Sequence, residues 1–127
     1  MKYMIVNAQN NRCLDSSNKR LASKACDESA HQMFTMSAVG EKMMVVGGDD
    51  MCISADSATK GPCAEGLTVT RTGATYRIKF NNNKCLNSKN KNQVNLMKCN
   101  PKRKLQNWRL VPTFTYKMAQ PESSGFR

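Results

Sequence analysis

Side chains able to do chemistry are unevenly spread along this chain. Between Lys84 and Val111 lie eight of its twenty basic residues, among them Lys89, Lys91, Lys98, the run Lys102-Arg103-Lys104, and Arg109, with no acid. Residues 1–65 carry seven basic and eight acidic side chains, whereas residues 66–121 carry twelve basic and none acidic. A field of one sign over one part of a small protein suits an anionic partner such as sulfate, sialate, phosphate or a heparin-like chain. The competing reading is a solvated loop kept soluble by its charge. The side chains of catalysis are missing. His31 is the only imidazole, and no nucleophile motif, phosphate-binding loop or metal-ligand set occurs. Neither an enzyme nor a cofactor nor a metal is expected. Nucleic acid fits poorly as a partner, because no aromatic rings interleave with the basic residues as stacking platforms.

What positions these side chains is a repeated β unit. Residues 84–111 run from Cys85-Leu86-Asn87 through Val94-Asn95-Leu96-Met97 to Cys99 and end in Gln106-Asn107-Trp108-Arg109-Leu110. Apolar alternation broken by Asn/Lys-rich segments predicts short strands and polar turns. Weaker copies lie upstream. Cys13-Leu14-Asp15 leads to Cys26 and Phe34; Cys52-Ile53-Ser54 leads to Cys63 and Leu67. Residues 32–52 overlie 65–85 without a gap, which sets Phe34 on Leu67, Met36 on Val69, Gly40 on Gly73 and Val45 on Ile78. Counting back from the first cysteine of each copy gives Met4, Met43 and Tyr76, then Val6, Val45 and Ile78. These pairs are expected to form one apolar face of equivalent strands. A unit this small cannot bury its own apolar face, so three copies imply one shared core.

The last copy resembles a ricin B-type β-trefoil repeat, with its Cys-Leu-Asx opening, second cysteine and closing Gln-x-Trp. The first copy, Arg12-Cys13-Leu14-Asp15 through Ala25-Cys26, also resembles the cysteine-rich domain of the mannose-receptor family. The resemblance covers about residues 3–112. It implies an all-β fold of three pseudo-symmetric lobes, about 3–40, 41–73 and 74–112, closed as a barrel capped by hairpins. Six cysteines allow fifteen pairings; the repeat selects Cys13–Cys26, Cys52–Cys63 and Cys85–Cys99, as in ricin-type repeats. Zinc is disfavoured because no close ligand pair exists, and free buried thiols are the remaining rival. Paired cysteines imply an oxidising, extracellular location. Asn7–Arg12 cuts the initial apolar run too short for a secretory signal, so a mature secreted form behind a new Met1 is the expectation. No apolar run is long enough for membrane insertion.

Strands are expected near Tyr3–Val6, Cys13–Asp15, Leu21–Lys24, Met33–Ser37, Met43–Val46 and Tyr76–Phe80, with turns at 7–11, 47–50 and 81–83. Met4, Met36, Met43 and Met44 read as gap-filling core, and Phe34, Leu67 and Trp108 as core proper. The second lobe is trimmed: four residues take Cys63 to Leu67, against eight and nine in the other lobes. It is expected to have lost any pocket. In the tail, residues 113–127, Thr113–Lys117 could add an edge strand before a loose end.

In the resembling lectins an Asp two after the first cysteine accepts hydrogen bonds from sugar hydroxyls. A ring two before the second cysteine stacks on the sugar, and an Asn-Gln pair completes the polar contacts. Carried to this chain, lobe one offers Asp15, Lys24 and His31-Gln32, and lobe three Asn87, Met97 and Leu105-Gln106, with Asn95 as a further polar group. Lobe two, with Ser54, Gly61 and Glu65-Gly66, offers nothing comparable. The bland alternative is that Asp15, Asn87, Gln32 and Gln106 hold the hairpins together through backbone amides. Every stacking position lacks a ring, which counts against neutral galactose. The resemblance implies a glycan-binding module favouring sulfated or sialylated chains, as a free lectin or the targeting part of a toxin, adhesin or receptor. The alternative is a trefoil that has lost sugar binding and contacts a protein partner.

Overall fold

The computed structural model describes residues 1–113; the expectations for the tail beyond Thr113 lie outside the described residues. Twelve strands form in chain order: β1 (Tyr3–Asn7), β2 (Cys13–Asp15), β3 (Ala22–Lys24), β4 (Phe34–Val39), β5 (Lys42–Gly47), β6 (Cys52–Ile53), β7 (Lys60–Gly61), β8 (Thr68–Thr72), β9 (Thr75–Lys79), β10 (Lys84–Ser88), β11 (Val94–Lys98) and β12 (Trp108–Pro112). Six of them close a barrel. β4 pairs with β5, β8 with β9 and β12 with β1 along most of their lengths. The three seams between those pairs are single bridges at equivalent positions: Tyr3↔Phe34, Met43↔Leu67 and Tyr76↔Trp108. The hairpins β2–β3, β6–β7 and β10–β11 cap one end. No helix among the described residues is long and apolar enough to cross a membrane.

The core is built in triplets, one side chain per lobe. Ile5, Val45 and Ile78 form one layer, Leu14, Ile53 and Leu86 a second, and Phe34, Leu67 and Trp108 a third, all buried in one cluster. Met36, Val69 and Leu110 pack against it from below. Trp108 is enclosed and its indole N–H donates to the Leu86 carbonyl at 3.1 Å, so burying the ring leaves no polar atom unpaired.

The first layer corrects the expectation for Met4 and Val6. Val6 pairs with Cys13, whereas Val46 pairs with Cys52 and Lys79 with Cys85. The turn before Cys13 is therefore one residue longer than its counterparts. A slip of one residue moves every side chain to the other face, so Ile5 takes the position that counting gave to Val6. Met4 and Val6 point outward into a small second cluster with Cys13, Met33 and Val111. Met43 and Met44 are half-buried rather than core.

Turn chemistry repeats with the same fidelity. Asn11, Asp50 and Asn83, each two residues before the first cysteine of its lobe, hold φ of 59°, 65° and 62°. Asn and Asp enter this left-handed region at least cost among side-chain-bearing residues. Each lobe closes one disulfide, Cys13–Cys26, Cys52–Cys63 and Cys85–Cys99, as the repeat predicts. A short 3₁₀ turn precedes the last strand in the first and third lobes, at Ala30–Gln32 and Lys104–Gln106. The trimmed second lobe replaces it with Gly66, where a Cβ would stand 2.8 Å from Met43 N; only glycine lets the chain pass β5 so closely.

Candidate functional site

Asp15 lies at the end of β2 and is 1% exposed. Its Oδ1 accepts from the Ser17 amide at 2.9 Å and the Ser17 hydroxyl at 2.6 Å, and its Oδ2 accepts from Gln32 Nε2 at 3.1 Å. Lys24 Nζ stands 4.0 Å from Oδ1. Burial pushes the carboxyl up, but the Ser17 hydroxyl and amide, the Gln32 amide and Lys24 together outweigh it and hold the group below the ordinary aspartate range. Asp15 is thus an ionised brace, with both oxygens engaged inside the fold.

Gln32 is fully enclosed: besides Asp15 it donates to the Ala25 carbonyl at 3.0 Å and accepts from the Asp27 amide at 2.9 Å. Gln106 repeats this in lobe three, donating to Lys98 O at 2.9 Å and accepting from Asn100 N at 3.0 Å. Both glutamines tie the loop after the second cysteine to the 3₁₀ turn, and neither faces a ligand surface. His31 is exposed, and its carbonyl accepts from the Ser16 amide at 2.9 Å. It lines an inter-lobe cleft of about 460 Å³ with Ser16, Ala30, Gly48, Asp49 and Lys60, and Lys60 spans that cleft by donating to Ser16 O at 2.8 Å and Asp49 Oδ2 at 2.6 Å. Sequence reasoning missed Lys60, and nothing in its local pattern signals the crossing. It also took lobe two to have no pocket; a cavity of about 140 Å³ lies there, lined by Ser54, Asp56, Gly61 and Glu65 among others.

Lobe three is organised differently. Asn87 and Asn95 stand directly opposite each other across β10–β11, and Asn87 Nδ2 donates to Asn95 Oδ1 at 2.9 Å. Asn87 Oδ1 is buried without a donor, where the matching oxygens of Asp15 are all engaged. Lys89 replaces Ser17 four residues after the first cysteine. Met97 faces Cys85, as Lys24 faces Cys13 and Gly61 faces Cys52, so the three positions expected to hold a stacking ring are structurally equivalent. Met97 lines a cavity of about 220 Å³ with Lys98, Cys99, Asn100, Pro101 and Arg103.

No protein-family model matches the sequence, and no curated protein sequence matches it. Solved structures do match in shape. A designed threefold-symmetric protein, ThreeFoil, superposes with a TM-score of 0.76 at 16% identity, over 87% of this chain and 98% of its own. A Macrolepiota procera ricin B-like lectin in complex with lactose gives 0.76 at 15% identity, over 87% and 94%. The fold is the β-trefoil. A Clostridium perfringens GlcNAcα1-4Gal-releasing endo-β-galactosidase also contains this trefoil, with a TM-score of 0.76 at 9% identity, and the present chain spans 32% of it.

The cations lie on the third lobe of the trefoil. Lys84, Lys89, Lys91, Lys98, Lys102, Arg103 and Lys104 are all exposed. Lys84 and Lys98 face each other directly across β10–β11, an arrangement that destabilises a strand pair, and residues 66–121 contain no acid to relieve it. Arg109 is held apart from this group by donating to Asn11 Oδ1 at 2.8 Å.

Proposed function

We propose that this chain is an extracellular carbohydrate-binding module that works through its third lobe and favours glycans bearing sulfate or sialate. The observation that carries the reading is the contrast between Asp15, whose oxygens are satisfied within the fold, and Asn87, whose buried Oδ1 has no donor. A buried acceptor in that state costs about 1–3 kcal/mol, and a sugar hydroxyl supplies the missing donor. Asn95 orients the amide, Met97 offers an apolar surface in place of a ring, and Lys89, Lys91, Lys98, Lys102, Arg103 and Lys104 supply the field for an anionic substituent. The lactose-bound trefoil is the analogy behind carbohydrate as the ligand class. The three disulfides support the extracellular placement. Asp15, Gln32 and Gln106 are assigned to structure, with Lys24 beside the Asp15 carboxylate and His31 on the inter-lobe cleft, and the module is read as a binder without catalysis.

A glycan array at two salt concentrations, run with the native chain and Asn87→Ala, tests this. Binding to sulfated or sialylated glycans at low salt, weakened by added salt and abolished by Asn87→Ala, is the expected result. Binding that persists undiminished in Asn87→Ala overturns the site.

One observation favours a second reading. All three stacking positions, Lys24, Gly61 and Met97, lack a ring, which suits a trefoil that contacts a protein through its loops. In that case a captured partner remains bound after its glycans are removed.

A further inference from the structure

The lobe-three site also encodes the length of its ligand, an inference that rests on the carbohydrate reading above. On β10–β11, Leu86 and Leu96 turn toward the core. By strand alternation Cys85 with Met97, Asn87 with Asn95, and then Lys89 share the opposite face. The ladder continues one residue past β10, because Lys89 N donates to Gln93 O at 2.9 Å. Asn87 therefore stands midway along a track. At about 3.4 Å per residue, Lys89 lies roughly 14 Å from the level of Met97. Lys91 flanks Lys89 at the hairpin tip, and Arg103 lines the cavity beside Met97 at the other end, whereas Lys98 alternates to the Leu96 side.

The other lobes have no such track. The positions matching Met97 and Lys89 are Lys24 and Ser17 in lobe one, and both are drawn onto Asp15 or each other. In lobe two they are Gly61 and Asp56, which together supply one anion and no cation.

We propose that lobe three binds an extended linear glycan carrying anionic groups on separate sugar residues. One charged group sits at Arg103 beside Met97, another at Lys89 and Lys91, and the hydroxyls between them lie over Asn87–Asn95. A single terminal acidic sugar occupies only half of this track.

The test uses the full chain, a linear polysulfated oligosaccharide series of graded length, and a singly sulfated disaccharide. Affinity is measured against salt concentration for the native chain, Lys89→Ser/Lys91→Ser and Arg103→Ser. The native chain is expected to bind the longer chains many-fold more tightly than the disaccharide. Lys89→Ser/Lys91→Ser should weaken the long chains more than the disaccharide and flatten their log–log salt dependence by about 1–2. Arg103→Ser should weaken both probes. Equal native affinity for long and short probes, or long-chain binding unaffected by Lys89→Ser/Lys91→Ser, overturns the inference while leaving the carbohydrate reading standing. Failure of every glycan to bind, charged or neutral, removes the carbohydrate reading and this inference with it.

Discussion

Replacing Asp15 with Ala separates the two roles that its position allows. In the fold the carboxylate receives three hydrogen bonds. Ser17 is exposed, so water recovers most of what its amide and hydroxyl lose. Gln32 is enclosed and keeps its bond to Ala25 O, but one of its amide N–H groups loses its acceptor. An unpaired buried donor costs about 1–3 kcal/mol, and losing charge-assisted bonds adds to it, so Asp15→Ala should destabilise by about 2–4 kcal/mol at neutral pH. With a urea slope of about 2 kcal/mol per molar, the unfolding midpoint should fall by about 1–2 M. The pH dependence has a definite sign. The folded carboxyl is held below its ordinary value of 3.8, so its contribution is complete above the unfolded value and is lost as pH falls through the lower, folded one. The gap between native and Asp15→Ala chains should therefore persist down to about pH 4 and narrow below it. Urea unfolding followed by tryptophan fluorescence at several pH values reports this, because Trp108 is the only tryptophan and lies in the core. If Asp15→Ala unfolds with the native midpoint yet loses glycan binding, the carboxylate is a ligand contact and the brace argument is wrong.

Three further outcomes follow from the packing. Trp108→Ala removes the largest core side chain and an occupied N–H, and should cost about 3–5 kcal/mol, read from the loss of the thermal transition. Ile5→Ala should destabilise more than Val6→Ala, because Ile5 belongs to the main core and Val6 to the small outer cluster; equal costs would contradict the one-residue register shift. Gly66→Ala forces a Cβ against the β5 backbone and should lower stability, measured as a shift in melting temperature, whereas Gly61→Ala, with nothing within 4 Å of the added carbon, should leave it nearly unchanged.

The fold was legible because its determinants are local and repeated. Cys-Leu-Asx opens lobes one and three, Gly40 and Gly73 turn equivalent hairpins, and Phe34, Leu67 and Trp108 close the three copies as one core layer. The Met4/Val6 register was misread because counting from a cysteine assumes turns of equal length, and the turn Ala8–Arg12 holds one residue more. The expected turns at 7–11, 47–50 and 81–83 each end on an Asx residue, Asn11, Asp50 and Asn83, that takes the left-handed conformation. The site was less legible, since hydrogen bonds that decide a polar side chain's role are set by distant neighbours. Gln32 and Gln106 occupy positions equivalent by sequence, yet only Gln32 reaches the residue two after the first cysteine. In lobe one the Ser17 amide and hydroxyl both donate to Asp15, whereas in lobe three Lys89 has no hydroxyl and its amide donates to Gln93 O, a difference set by the folded hairpin.

The pairing of β1 with β12 runs from Tyr3↔Pro112 to Asn7↔Trp108, which brings Tyr3 and Pro112 to neighbouring strands, about 5 Å apart. Entry and exit of the polypeptide thus share one doorway. Residues 3–112 can therefore be spliced into a surface loop of a host protein without prising that loop open. The barrel closes through that pairing whichever way the chain is threaded.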